Sequence, residues 1–372
     1  MRKKKILIID NVFAPSKKNK ILNGVQKFSK AQRDVLSDNY EVHYVTMKGS
    51  DKQFPNQYIL STIQNVNATT EEKLQITKEI KSEIQEIIHK IKPFYVLDNS
   101  CKHLSTLYES YNVGVVFEHY YSPSMPLTPK AKEKFEKHGV YWCGVSNWQN
   151  NMFRNYFNGI TSVHLVDKNE VVSAKNYGVF VGRWDRGKTP YIIMKIFAKK
   201  IKDTHLHIFT TINHSYFSKE DQKIIDDLSK CENITFHFDA PRKKILKYLS
   251  EAAFVLGGGK ESTGIVSLEG ASYGVPYIVR GSGSVAEQEH MLPFSMEFLD
   301  IKNGDIPQQL VNAVDKFKNY TLKDRKKIAN YAYKEYNRSM FKDRQLDLLE
   351  RALKNKIGKI NYIEKSLYEI QS

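Results

Sequence analysis

The chain alternates short apolar runs with amphipathic stretches, and it does so twice. In the first half, "KKILIID" (4–10), "EVHYVTM" (41–47), "FYVLDN" (94–99), "VGVVFEH" (113–119) and "YWCGVSN" (141–147) read as strands. Between them, "VQKFSKAQRDVLSD" (25–38) sets Val25, Phe28, Ala31, Gln32 and Val35 on one helical face, and "EEKLQITKEIKSEIQEIIHKIK" (71–92) is a long amphipathic helix ended by Pro93. The pattern restarts with "YGVFVGRW" (177–184), "LHIFTT" (206–211), "ITFHFD" (234–239), "AAFVLGG" (252–258) and "PYIVRG" (276–281), with helices between. Apolar strands alternating with helices call for parallel sheets covered on both faces. Two such units in tandem predict an α/β chain of two doubly wound, Rossmann-like domains facing a cleft. From about residue 305 the sequence reads as helix. The expected divisions are 1–170, 171–340 and a C-terminal helical segment at 341–372.

At 372 residues the chain has room for two domains. No stretch approaches the roughly 18 apolar residues of a membrane span, so no integral membrane association is expected. "MRKKKILIID" has a basic start, but its apolar run is short and reads as a first strand rather than a signal peptide. Cys101, Cys143 and Cys231 lie far apart with no C-x-x-C, which fits a reduced, cytoplasmic protein without a zinc site. The formal net charge is +16. Such an excess is either a solvated lysine-rich surface or the footprint of a polyanionic partner: nucleic acid, an anionic membrane face or an acidic polymer.

The densest chemistry lies in "GGGKESTGIVSLEGASYGVPYIVRG" (257–281). Here an apolar strand runs out into glycines, Glu261 sits in the loop, and Ser262 or Thr263 can cap a helix. Glu269 lies inside that helix, Gly274 stops it and Pro276 opens the next strand. The free N–H groups near Gly264, Ile265 and Val266 would point into the gap before the helix, where they attract phosphate. A sugar nucleotide offers phosphates to those groups and hydroxyls to each glutamate. In "VGRWDRGKTP" (181–190), Arg183 and Lys188 flank a tight turn after a strand and can clamp a diphosphate. Gly24, in the first βα turn, lets the backbone approach a ligand closely. Glu118 and His119 end a strand of the first half, where a lone histidine is more often structural than catalytic. Ser146 and Asn147 are similarly placed. No two aspartates are separated by one residue, so a D-x-D metal clamp is missing and phosphate charge falls to Arg183, Lys188 and helix ends.

Gly24 with its helix, "EH" at 118–119, "VSNWQ" at 145–149, "VGRWDRGK" at 181–188 and "ESTGIVSLEGASYGVP" at 261–276 together resemble the retaining GT-B glycosyltransferases that carry an E-x7-E motif. The resemblance covers most of the chain and implies roles. Glu261 would contact the donor sugar, Glu269 the ribose, and Arg183 with Lys188 the diphosphate of a UDP-sugar, with no metal or other cofactor. The first turn departs from that family by carrying Asn23 where a second glycine is common. A narrower likeness lies in "NGVQKFSKAQRDVLSDNYEVHYV" (23–45), which is similar to the start of the T-even bacteriophage DNA α-glucosyltransferases. Those enzymes act on 5-hydroxymethylcytosine in duplex DNA.

The expected protein is therefore a metal-independent, retaining glycosyltransferase, working as a monomer in the cytoplasm (of a host cell, if phage-encoded). It would move glucose, or a pentose such as arabinose, from a UDP-sugar to modified cytosine in double-stranded DNA. Glu261, Glu118 and His119 are the catalytic candidates. Gly24, Arg183, Lys188, Gly264, Ile265, Val266 and Glu269 are the donor-binding ones. Tyr120, Tyr121 and Trp148 are candidates to stabilise an opened base pair. The same catalyst with a cell-surface polysaccharide, wall polymer or protein acceptor is the alternative. A UDP-sugar epimerase would need further carboxylates or histidines converging from both domains. A non-catalytic DNA-binding protein leaves the two glutamates without a role.

Overall fold

The first strand, β1 (Lys5–Ile9), has Ile6, Leu7, Ile8 and Ile9 all fully buried. Burial of consecutive residues means that both faces of its sheet are covered. The computed structural model describes residues 3–10, 24–62, 69–100, 116–120, 140–144, 160–161, 165–184, 189–212, 217–258, 264–280, 294–300 and 304–357. At 116–120, 140–144, 160–161, 280 and 352–357 the description is of the backbone alone. After β1 come α1 (Gly24–Leu36), β2 (Glu41–Thr46), β3 (Gln57–Ile59), α2 (Thr70–Ile91), β4 (Tyr95–Asp98), β5 (Val116–Tyr120), β6 (Val140–Gly144) and β7 (Ile160–Thr161). The strands form one parallel sheet in the order β3-β2-β1-β4-β5-β6-β7. Helix α2 starts where the sequence allows it, at a capping box in which the Thr69 side chain accepts from the Glu72 N–H and the Glu72 carboxylate accepts from the Thr69 N–H.

The second half holds β8 (Tyr177–Trp184), α3 (Tyr191–Lys200), β9 (His205–Ile212), α4 (Lys219–Ser229), β10 (Ile234–Phe238), α5 (Arg242–Glu251), β11 (Phe254–Leu256), α6 (Ile265–Ser272), β12 (Tyr277–Arg280) and β13 (Met296–Leu299). Three helices follow: α7 (Ile306–Lys318), α8 (Leu322–Tyr336) and α9 (Arg338–Ile357). The second sheet is also parallel, in the order β10-β9-β8-β11-β12-β13. Successive side chains of β8 feed opposite cores. Phe180 joins Met194 and Phe197 of α3, whereas Val179 joins Leu249 of α5 and Leu268 of α6. The two Rossmann-like sheets expected from the alternation are thus both present. Strands β3, β7 and β13, which the periodicity does not predict, have only three, two and four residues and lie at sheet edges. Pairing with a neighbour, not an apolar period of their own, makes them strands.

The C-terminal helix begins at Arg338, directly after α8, and returns to the first sheet. Phe341, Leu348 and Leu349 are buried in one cluster with Ile6, Phe28 and Tyr95, and the Phe28 and Phe341 rings meet edge to face at 5.7 Å. Lys342 pairs with Asp38 at 2.9 Å and Arg338 donates to the Asp34 carbonyl at 2.6 Å.

Beneath α5, three histidines share a face at the β9–β10 edge. The Lys244 ammonium can only donate, so His237 accepts from it at Nδ1 (3.1 Å) and donates from Nε2 to Nδ1 of His207 (3.2 Å). Both rings are therefore neutral. Burial, aided by the repulsion a protonated ring would meet from Lys244 and from protonated His205 or His237, pushes His207 down to about 4. Burial and then Lys244 lower His237 as well. As pH falls, the unfolded chain takes up these protons first, near the ordinary value of 6.5, while the folded chain resists to about 4. Stability is then full above about 6.5 and is lost progressively between there and 4. Discounted for the ring's partial exposure, the loss from His207 is about 1–2 kcal/mol. Urea midpoints should be flat from pH 8 to 7 and fall towards pH 5, and His207→Asn should flatten the fall. An unchanged slope in that variant contradicts the assignment.

Candidate functional site

A doubly wound sheet binds its ligand beyond the carboxyl ends of its strands, where the strand order reverses. The reversals here lie between β1 and β4 and between β8 and β11. The chain leaving β1 re-enters helix at Gly24, and the chain leaving β11 re-enters helix at Gly264. These two helix beginnings meet. A Cβ built on Gly24 would stand 2.7 Å from Cδ1 of Ile265, closer than side-chain atoms approach. The reversals of the two sheets are therefore opposed across a common cleft, with Gly24 letting the first domain close on the second.

Gly264 is the N-cap of α6 at φ +63°, in the left-handed region, and has no side chain of its own with which to bond the first-turn N–H groups. The sequence placed this cap at Ser262 or Thr263. The cap position is Gly264, so Ile265 and Val266 open the helix with first-turn N–H groups that have no partner within it, while Ser262 and Thr263 lie outside the described residues. The helix ends as expected: Gly274, at φ +73°, donates to the Ala271 carbonyl at 2.8 Å.

One turn into α6, Glu269 is 19% exposed and faces two cations. Lys27, one turn into α1, reaches its Oε1 at 2.5 Å. Arg242, the first residue of α5, donates to the same Oε1. No described residue bonds Oε2. Burial pushes the Glu269 carboxyl up, but the charges of Lys27 and Arg242 and their hydrogen bonds outweigh it, and the group is held below its ordinary value of 4.5. The site thus holds an ionised carboxylate with one oxygen gripped and the other open.

Lys27 is placed from below. Asn99, just past β4, donates to Ser29 Oγ (3.0 Å) and Gln32 Oε1 (2.7 Å) of α1, and Gln32 donates to Gln345 of α9 at 2.9 Å. Ser29, Gln32, Asn99 and Gln345 are buried, so this network fixes the rotation of α1 that aims Lys27 at the cleft.

The other expected residues are distributed as follows. Arg183 is the penultimate residue of β8, exposed at the same carboxyl edge, in register with Thr211. Glu118 and His119 lie near the carboxyl end of β5, in register with Trp142 and Cys143, and Glu118 is also opposite Asp98. Their side chains, with Glu261, Lys188, Tyr121, Ser146, Asn147 and Trp148, fall outside the described residues. The structure brings together Gly24, Gly264, Ile265 and Glu269. Lys27 and Arg242 were not anticipated. The available signal was position: each is a cation in the first turn of a helix that follows a strand of its sheet. Among the described residues no group of three or more His, Cys, Asp or Glu could hold a metal ion, and no helix is long and apolar enough to cross a membrane.

Glu269→Ala should lower unfolding free energy at pH 7 by about 1–2 kcal/mol, the worth of charge-assisted bonds in a partly exposed setting. Because the folded carboxyl titrates below 4.5, this contribution is complete above that pH and fades as pH falls through the folded value. Denaturant titrations of both proteins at pH 7 and pH 3 check it. A deficit as large at pH 3 as at pH 7 means that packing, not charge, was removed.

Residues 165–335, the segment that carries Arg183, Arg242, Gly264 and Glu269, match the profile of the family described as glycosyl transferases group 1. No curated protein matches the chain by sequence. Solved structures match it over nearly its whole length. Sucrose-phosphate synthase from Thermosynechococcus elongatus superposes with a TM-score of 0.75 at 13% identity, covering 95% of this chain and all of the other. HepE of Anabaena, in complex with UDP and glucose, gives 0.66 at 13%, covering 94% and 100%. The lipopolysaccharide outer core galactosyltransferase WaaB gives 0.66 at 12%, covering 94% and 99%. At these identities the likeness is one of fold. Two Rossmann-like domains across a cleft form the GT-B architecture: the chain has this fold, and its second half is similar to the glycosyl transferases group 1.

Proposed function

We propose that the protein transfers a sugar from a UDP-sugar to a hydroxyl acceptor with retention of anomeric configuration and without a metal ion. The observation that carries this reading is Glu269, ionised, gripped through Oε1 and open at Oε2, in the helix that starts at Gly264 where the two domains meet. A ribose hydroxyl donating to Oε2 places the diphosphate towards the N–H groups of Ile265 and Val266, where the helix dipole favours negative charge. Arg183 and Lys188 take up charge on the diphosphate as UDP leaves. Glu261 holds the sugar hydroxyls, and His119 and Glu118 are the catalytic candidates of the first domain. The bond from the anomeric carbon to the phosphate oxygen breaks, the acceptor oxygen bonds to that carbon on the same face, and its proton passes to the leaving phosphate. HepE, whose fold this chain shares, binds UDP and glucose, which supports the choice of donor.

A cell-surface polysaccharide, wall polymer or protein is the acceptor class favoured by the relatives, WaaB being a lipopolysaccharide enzyme. None of the three proteins compared above is named as acting on DNA. Double-stranded DNA with 5-hydroxymethylcytosine is the second reading, favoured by residues 23–45, which include Lys27, and by a net charge of +16. A radiolabelled screen of UDP-sugars, with envelope polymers and with hydroxymethylated and unmodified duplex DNA as acceptors, separates the two. Transfer to an envelope polymer alone supports the first. Transfer to modified DNA alone, weakening steeply with salt, supports the second. Activity should survive EDTA in either case, and an absolute need for manganese or magnesium would remove the metal-free mechanism.

A further inference from the structure

The Lys27–Glu269 contact crosses the cleft, and its geometry is one-sided. Lys27 and Arg242 both bond Oε1 of Glu269, and neither they nor any other described residue bonds Oε2. The two cations have different origins. Arg242 belongs to α5, in the same domain as Glu269, and holds it whatever the domains do. Lys27 belongs to α1, in the facing domain, and can hold it only when Gly24 and Ile265 are as close as they are here. A carboxylate with one oxygen engaged twice is fixed in rotation, so its other oxygen has a set direction.

We propose that Lys27 is an interdomain positioning residue: from the first domain it orients Glu269 so that Oε2 is presented to the ribose hydroxyls of the donor, making ribose recognition complete only when the cleft is closed. This rests on the donor reading above and adds to it a residue from the other domain. Donor binding and closure are then reciprocally linked, because a ligand that uses the closed arrangement favours it by its differential affinity. Lys27 does not touch the reacting atoms. It acts through Glu269, and its removal should therefore be felt by ligands that carry ribose hydroxyls and not by ligands that lack them.

The test is calorimetric titration of wild type, Lys27→Met and Lys27→Arg with UDP and with its 2′,3′-dideoxy analogue. Wild type should bind UDP more tightly than the analogue. In Lys27→Met the UDP affinity should fall about tenfold, the scale of one charge-assisted contact, while that for the analogue stays unchanged. Lys27→Arg should recover most of the difference. An equal fall for both nucleotides would assign Lys27 a merely structural role, and no fall for either would overturn the proposal. Small-angle scattering without ligand gives a second readout. Lys27→Met and Glu269→Gln should each increase the radius of gyration, and the double variant should match the singles; unchanged scattering overturns the closure role. If wild type binds neither nucleotide, the donor reading and the ribose role fall together, while the closure role is still decided by the scattering.

Discussion

Every described strand runs parallel to its neighbours, and this single constraint places everything else. Parallel pairing cannot be closed by a tight turn, so each strand must return through a crossover, here mostly helical. The common strand direction puts every strand's carboxyl end, and every following helix start, along one edge of the sheet. Two sheets built this way carry two edges lined with helix N-termini, rich in unpaired N–H groups and partial positive charge. In this molecule the edges face one another, and Gly24 and Ile265 mark where they touch. A cleft lined by helix N-termini is thus a consequence of topology before any side chain is chosen. Side chains add to this edge: Glu269 places a carboxylate in it, and Arg183 a cation at the strand end.

The parts that hold this arrangement lie behind the cleft. Helix α9 continues from the second domain into the core of the first, so the chain joins the domains once at the linker near residue 165 and again at Asn337. On the far side of α6, Arg325 of α8 is fully buried and has no carboxylate partner among the described residues. It donates instead to the carbonyls of Ser250, Ala252 and Tyr273, at the ends of α5 and α6. Those carbonyls are the negative ends of two helix dipoles, which explains how a buried guanidinium is tolerated there. Burial still pushes it down to about 10. Gly274 lies against the Arg325 backbone with no room for a side chain, a Cβ there standing 2.3 Å from the carbonyl oxygen. Arg325 thus ties α5 and α6, the helices that carry Arg242 and Glu269, to one support.

The parts of the fold that follow from local periodicity were legible in the sequence. Long apolar strands such as "KKILIID" and "YGVFVGRW", and the face of α1 at Phe28, Gln32 and Val35, carry their structure in their spacing. Glu269 and Gly264 were legible too, because a carboxylate and a glycine at a strand-to-helix junction have few other uses. What spacing cannot carry is partnership across the chain. Lys27 and Glu269 are 242 residues apart, and Gln32 and Gln345 are 313 apart. Each alone is an ordinary polar residue of a helix. The return of α9 to the first sheet was hidden for the same reason, since the apolar face of a helix does not state which surface it meets. The N-cap position at Gly264 shows a local limit: a serine or threonine near a helix start does not by itself fix where the helix begins.

The central claim is that a nucleoside is held between the domains by the open oxygen of Glu269, with Lys27 retaining the other. A crystal structure of the protein with UDP tests this most directly. The account predicts a ribose hydroxyl within hydrogen-bond distance of Glu269 Oε2, the diphosphate before the first turn of α6, and Lys27 still on Oε1. A ribose bound elsewhere, or Lys27 turned away to the phosphates with Glu269 free of both domains, would contradict it.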